Sequence, residues 1–158
     1  MESYRIMLFL HVAAVIVTIG ATFAFPFLQA LAERSGVAAT RFVMQFLVRI
    51  ERMLVIPGSV VLTLFGVALI FDDGTGYKDD FPAWLMASIT IFAVVVAVDL
   101  LIQQRQVKAA ITALDGVPDS SPLPAAYTAI GKRIQMVGGL EGLALVVITF
   151  LMTYKPGQ

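Results

Sequence analysis

Residues Ile6 to Leu31 read IMLFLHVAAVIVTIGATFAFPFLQAL, a run with no Asp, Glu, Lys or Arg. Roughly 20 mostly apolar residues suffice to cross the hydrocarbon of a bilayer. The run is about twice as long as the apolar core of a secretory signal. The residues before it, Met1-Glu2-Ser3-Tyr4-Arg5, carry one acid and one base rather than a basic cluster. It reads as a retained span, with the chain's only histidine, His11, inside it.

Three further stretches share this character. The pattern predicts a first helix from about Tyr4 to Ala32 and a turn at Glu33-Arg34-Ser35-Gly36. A second helix from near Ala38 to Phe71 would be about 50 Å long, against a hydrocarbon core of about 30 Å. Its start is amphipathic, with Arg41, Gln45, Arg49 and Arg52 in one stripe beside Phe42, Phe46, Ile50 and Met53. The second helix should therefore extend on the cytoplasmic side, enter the bilayer near Met53 and kink at Pro57-Gly58. Asp72 to Asp80 is a polar turn, and Pro82-Ala83-Trp84 opens a third helix with Trp84 as an interface anchor. This helix leaves the membrane near Gln103 and continues to Leu114. Gly116 to Pro124 is a loop rich in helix breakers. The fourth helix runs from about Ala126 to Tyr154, enters the bilayer near Ile134 and is closed by Lys155-Pro156-Gly157. The expected fold is all-α, a four-helix integral membrane bundle forming a single domain over residues 1–158.

Composition agrees. The 158 residues are 59% hydrophobic and 14% charged, with mean hydropathy +0.88, whereas soluble domains carry about 25% charge. Basic and acidic residues balance, 11 against 11, which argues against a nucleic-acid partner. The absence of cysteine excludes disulfides, thiolate metal sites, iron–sulfur clusters and covalent c-type haem. No HExxH, GxSxG or P-loop pattern occurs.

The basic residues are unevenly placed. Arg34, Arg41, Arg49, Arg52, Arg105, Lys108, Lys132 and Arg133 fall at two connections on one side, against Arg5, Lys78 and Lys155 on the other. Eight against three places both termini in the periplasm by the positive-inside rule.

Depth then sorts the polar residues into two layers. In the outer half, His11 shares its expected level with Met86 and Met152. Imidazole and thioether are ligands for haem iron or Cu(I). An imidazole in a span also serves simply to hydrogen-bond a neighbouring helix, and methionines are common core fillers. The cytoplasmic half holds Glu51, Arg52, Asp99 and Glu141. An unpaired charge at depth costs at least about 2.5–3.5 kcal/mol. One of the two carboxylates Asp99 and Glu141 is therefore expected to pair with Arg49, Arg52, Lys132 or Arg133, with proton or ion transfer as the alternative. Gly138 and Gly142 on the fourth helix, and Gly20 and Ala24 on the first, are small-xxx-small pairs. They predict close approach of those two helices, within a monomer or across a dimer.

His11 with Gly20 and Pro26, Arg49-Ile50-Glu51-Arg52 with Pro57 and Gly66, and Glu141 with Lys155-Pro156 resemble the helices of the bacterial haem-binding protoporphyrinogen oxidase family. Leu10-His11, Pro57, Leu151-Met152 and Lys155-Pro156-Gly157 are more similar to a set of uncharacterised bacterial integral membrane proteins described only as a domain of unknown function. The copper-resistance D-type membrane proteins share the general plan. The resemblance implies a multi-pass protein of the bacterial cytoplasmic membrane with b-type haem on His11. The lysine that the oxidase family carries in its third helix has no counterpart at Ser88–Thr90, so oxidation of protoporphyrinogen is not implied. One histidine allows five-coordinate haem, a His–Met pair within a chain, or two histidines across a dimer. Copper is the competing ligand. Alternatively, with no cofactor, the chain is a structural subunit of a larger membrane complex.

Overall fold

The computed structural model describes residues 2–157, and every regular element among them is helical. Four long helices each have the length and apolarity to cross a membrane: Glu2–Ser35, Val37–Phe71, Ala83–Leu114 and Ala125–Tyr154. Their local breaks are informative.

The first long helix divides into α1 (Glu2–Phe23) and α2 (Phe25–Ser35). The expected uninterrupted helix breaks at Ala24 because Pro26 has no N–H to offer the preceding turn. Pro26 instead occupies the first turn of α2, where its missing donor costs nothing. Gly36 ends α2 at φ 103, a conformation that favours glycine. The second long helix consists of α3 (Val37–Ile50), one π-helical turn (Glu51–Val55) and α4 (Ile56–Phe71). In this wide turn the Ile56 N–H reaches the Glu51 carbonyl. Pro57 again removes a donor, and the bend expected at Pro57-Gly58 begins as this wide turn just before it. The third comprises α5 (Ala83–Val98), a second π-helical turn (Asp99–Gln103) and α6 (Gln104–Leu114). No proline stands near this turn, and nothing in the local sequence explains it. The fourth, α7 (Ala125–Tyr154), is unbroken and ends at Lys155 in the left-handed region, φ 48.

Packing differs between the two ends. At the end carrying the arginines, here called the basic end, α2 lies against α3, α3 against α6 and α6 against α7. Val37, Met44, Ala110, Leu114 and Tyr127 are completely buried there, with Leu47 and Ile134 beside them. Arg41 ties the loop after α6 in place. Its Nη1 donates to Asp119 Oδ1 at 2.9 Å, and its Nη2 donates to the carbonyls of Leu114 (3.1 Å) and Val117 (2.6 Å). Those carbonyls lie at and beyond a helix end, where intrahelical donors run out. Towards the acidic end, where the Asp72–Asp80 loop lies, α1 pairs with α4 and α5 with α7. No Cα of α4 comes within 8 Å of α5 or α7 among the described residues. Large apolar side chains on these segments face outward, such as Phe9 at 68% exposure, as expected of a surface solvated by acyl chains.

Two expectations need correction. Trp84 is only 4% exposed: Tyr77 meets it edge-on at 5.5 Å and Lys155 Nζ lies 5.6 Å from its ring centroid. It caps the α5–α7 pair from inside rather than standing out as an anchor. Within one chain, the glycines of the first and fourth helices also do not form a close seam. Gly20 and Gly139 have open space where a side chain would be, and Gly142 faces the Phe23 ring. Helix α1 makes its extensive approach to α4 instead. The glycines that permit this are Gly58 and Gly66, which meet Thr18 and His11.

Candidate functional site

The α1–α4 seam follows from matched spacing. Thr18 is seven residues after His11 and Gly66 eight after Gly58, and the two helices run antiparallel. One pair of polar side chains therefore lies over one pair of glycines. A methyl on Gly58 would collide with the Thr18 hydroxyl, and one on Gly66 would stand 3.1 Å from His11 Cε1. The absent side chains let the imidazole reach the α4 backbone, where its Nδ1 lies 3.0 Å from the Leu62 carbonyl oxygen.

That bond defines the imidazole chemically. A carbonyl only accepts, so Nδ1 carries the proton and donates. In the neutral ring Nε2 is then an unprotonated acceptor. Nδ1 and Cε1 lie within 4 Å of the missing Gly66 side-chain position, and Nε2 does not. The ring turns its Nδ1–Cε1 edge to α4 and its Nε2 away from that contact. Met7 and Ala14, which share the His11 face, are half-buried, and Thr18 is fully buried. The Thr18 hydroxyl has no hydrogen-bond partner among the described residues.

The methionines are placed apart. Met86, on α5, is 57% exposed, and no Cα of α5 comes within 8 Å of α1 among the described residues. The structure does not bring Met86 to His11. Met152 is half-buried in the last turn of α7. No group of three or more His, Asp or Glu side chains suited to a metal ion gathers among the described residues.

The carboxylates do come together, though not as expected. Glu51 and Asp99 each begin one of the two π-helical turns. A single amide nitrogen, Gln104 Nε2, donates to Glu51 Oε1 and to Asp99 Oδ2, both at 3.3 Å. The Oε1 of Glu141 is buried without a partner among the described residues. Among the described residues the ion pair is Arg41–Asp119. Asp99 and Glu141 therefore do not pair with Arg49, Arg52, Lys132 or Arg133. At Asp99 a neutral amide, Gln104, took the place assigned to a cation, and the neighbouring Gln103 donates to the Ile134 carbonyl at 3.1 Å. Consecutive glutamines at the end of an apolar run were the available signal.

A second hub was not foreseen at all. Glu33, read as part of a turn, receives three donors, one from its own helix α2 and two across the α2–α7 contact. They are Gln29 Nε2 and Tyr127 OH on Oε1, both at 2.9 Å, and Gln135 Nε2 on Oε2 at 3.2 Å. Gln29 Nε2 also lies 3.2 Å from the Gly131 carbonyl, and a side chain at Gly131 would press on Glu33 at 3.0 Å.

No curated protein and no solved structure matches the chain. A family model of predicted integral membrane proteins, DUF2269, matches residues 5–156, nearly the whole chain, and the chain belongs to this family.

Proposed function

We propose that this integral membrane protein has a redox or haem-handling role centred on His11, which would hold b-type haem through Nε2, with copper as the competing occupant. The hydrogen bond from His11 Nδ1 to the Leu62 carbonyl carries this reading. A ligating histidine characteristically donates its other ring N–H to a carbonyl or carboxylate, which sets the tautomer and orients the ring. The residues fit a group that needs one imidazole. Leu62 orients the ring, and Gly66 lets it sit against α4. When bound, haem would supply one-electron chemistry. Met86 does not serve as a second ligand within the same chain, which leaves Met152, five-coordination or the histidine of a second copy. The proposal includes residence in the bacterial cytoplasmic membrane with both termini in the periplasm, from the distribution of Arg and Lys.

The test is a visible absorption spectrum of protein purified from membranes. A Soret band is expected, lost in His11→Ala and weakened in Leu62 variants only as far as helix packing allows. Protein that is folded but colourless, and takes up neither haem nor Cu(I), would sink the reading. The second reading is an accessory subunit, favoured by the open small-residue positions Gly20 and Gly139. It expects bulky substitutions there to leave the isolated chain folded while breaking a larger assembly on native gels.

A further inference from the structure

We propose that the seam between the second and third long helices at the basic end binds the phosphate of an anionic phospholipid, held by Arg52 and Lys108. A small crevice opens there, lined by Val48, Glu51, Arg52, Gln104, Val107 and Lys108. Side chains on a helix lean towards its N-terminus. Arg52 therefore leans towards Val48, and Lys108 on α6 leans back towards Gln104, so the two cations converge from opposite sides.

Both are exposed, and neither forms an ion pair among the described residues. Each has a second exposed and equally unpaired cation three residues earlier, Arg49 and Arg105. Residues three apart are neighbours on a helix surface, so Arg49 and Arg105 add positive charge nearby without lining the crevice. One carboxylate, Glu51, lines it, and Glu51 is engaged by Gln104, which also donates to Asp99. The balance at the mouth remains positive.

The depth suits a headgroup. Residues Met53–Phe71 contain no acidic or basic side chain, and neither do Phe81–Val98. The crevice sits where both uncharged runs end, at the boundary of hydrocarbon and headgroups. Basic pockets between membrane helices are suited to anionic headgroups. The crevice itself has room only for about a water or two. The phosphate therefore sits at its mouth between Arg52 and Lys108, and the acyl chains run along the exposed apolar surface of the helices. This inference is independent of the role of His11.

The experiment reconstitutes the full chain in phosphatidylcholine nanodiscs doped with phosphatidylglycerol and measures retained lipid by native mass spectrometry. The unaltered protein should retain phosphatidylglycerol selectively. Arg52→Gln with Lys108→Gln should weaken that retention roughly thirtyfold, and either change alone roughly fivefold. Lys132→Gln with Arg133→Gln, at the same end on α7, should change it little. Circular dichroism verifies folding, and the single variants stand in if the double variant does not fold. Equal loss in the α7 control would mean a diffuse charge effect and overturn the site. Unchanged retention in the Arg52 and Lys108 variants would overturn it too. So would displacement of the lipid by millimolar inorganic phosphate, which would identify a site for the free anion.

Discussion

The α1–α4 seam and the basic-end core solve the same problem, holding helices together, with different materials. The core buries Val37, Met44, Ala110, Leu114 and Tyr127 completely and surrounds them with satisfied polar groups, Glu33 with three donors and Arg41 with three acceptors. The seam has two glycines, one threonine and one histidine bond, and leaves its large apolar side chains facing outward. The difference is one of solvent. Where water competes, burying apolar surface is the main driving force and orphaned polar groups are penalised. Where lipid surrounds the helices, an outward Phe loses nothing, and association depends on close backbone approach and a few polar contacts.

Three substitutions can break or sharpen this contrast. The largest effect is expected from Glu33→Ala, which leaves Tyr127 OH and the Gln135 amide without their acceptor and the buried Gln29 amide with only the Gly131 carbonyl. Thermal unfolding in detergent should register a loss of about 3 kcal/mol. A loss no larger than that of an exposed substitution would mean water enters the hub and the core is less dry than it looks. Next comes Gly58→Ala, whose methyl meets the Thr18 hydroxyl. Forcing a group into a packed contact costs about 2 kcal/mol. Adding Thr18→Ala should restore much of it, and a double-mutant cycle with no coupling would place the strain elsewhere. The smallest is His11→Ala, at about 0.6 kcal/mol, the average for a hydrogen bond between membrane helices. If His11→Ala destabilised the protein as much as Glu33→Ala, the imidazole would be a main structural fastener and its claim to a ligand role would weaken.

The four helices were legible because apolar run length is a strong signal and breakers mark each connection. The third helix ends at the expected Leu114, and the fourth at Tyr154 before the left-handed Lys155. Less was legible about how helices face each other. A small-xxx-small pair says that close approach is possible but not with which neighbour. The working glycines proved to be Gly58 and Gly66, eight residues apart and opposite His11 and Thr18. The candidate site was half readable. His11 stood out as a residue type, but the Leu62 carbonyl that orients it is backbone and leaves no trace in composition. The ion pairing expected of Asp99 and Glu141 followed from charge alone and overlooked the capacity of Gln104 to bridge two carboxylates.

The wide turn at Glu51–Val55 also acts as a phase adjuster. It accommodates one residue more than an α-helical turn would, and each residue of an α-helix turns the chain by about 100°. Below it, Met44 and Leu47 point into the basic-end core; above it, Gly58 and Gly66 point at α1. Deleting one residue from that turn would restore a regular helix of nearly the same length. It would also swing the whole of α4 about its axis, carrying both glycines off Thr18 and His11 while every hydrophobic residue remained in the membrane. Hydropathy would not notice the change, and the seam would be gone.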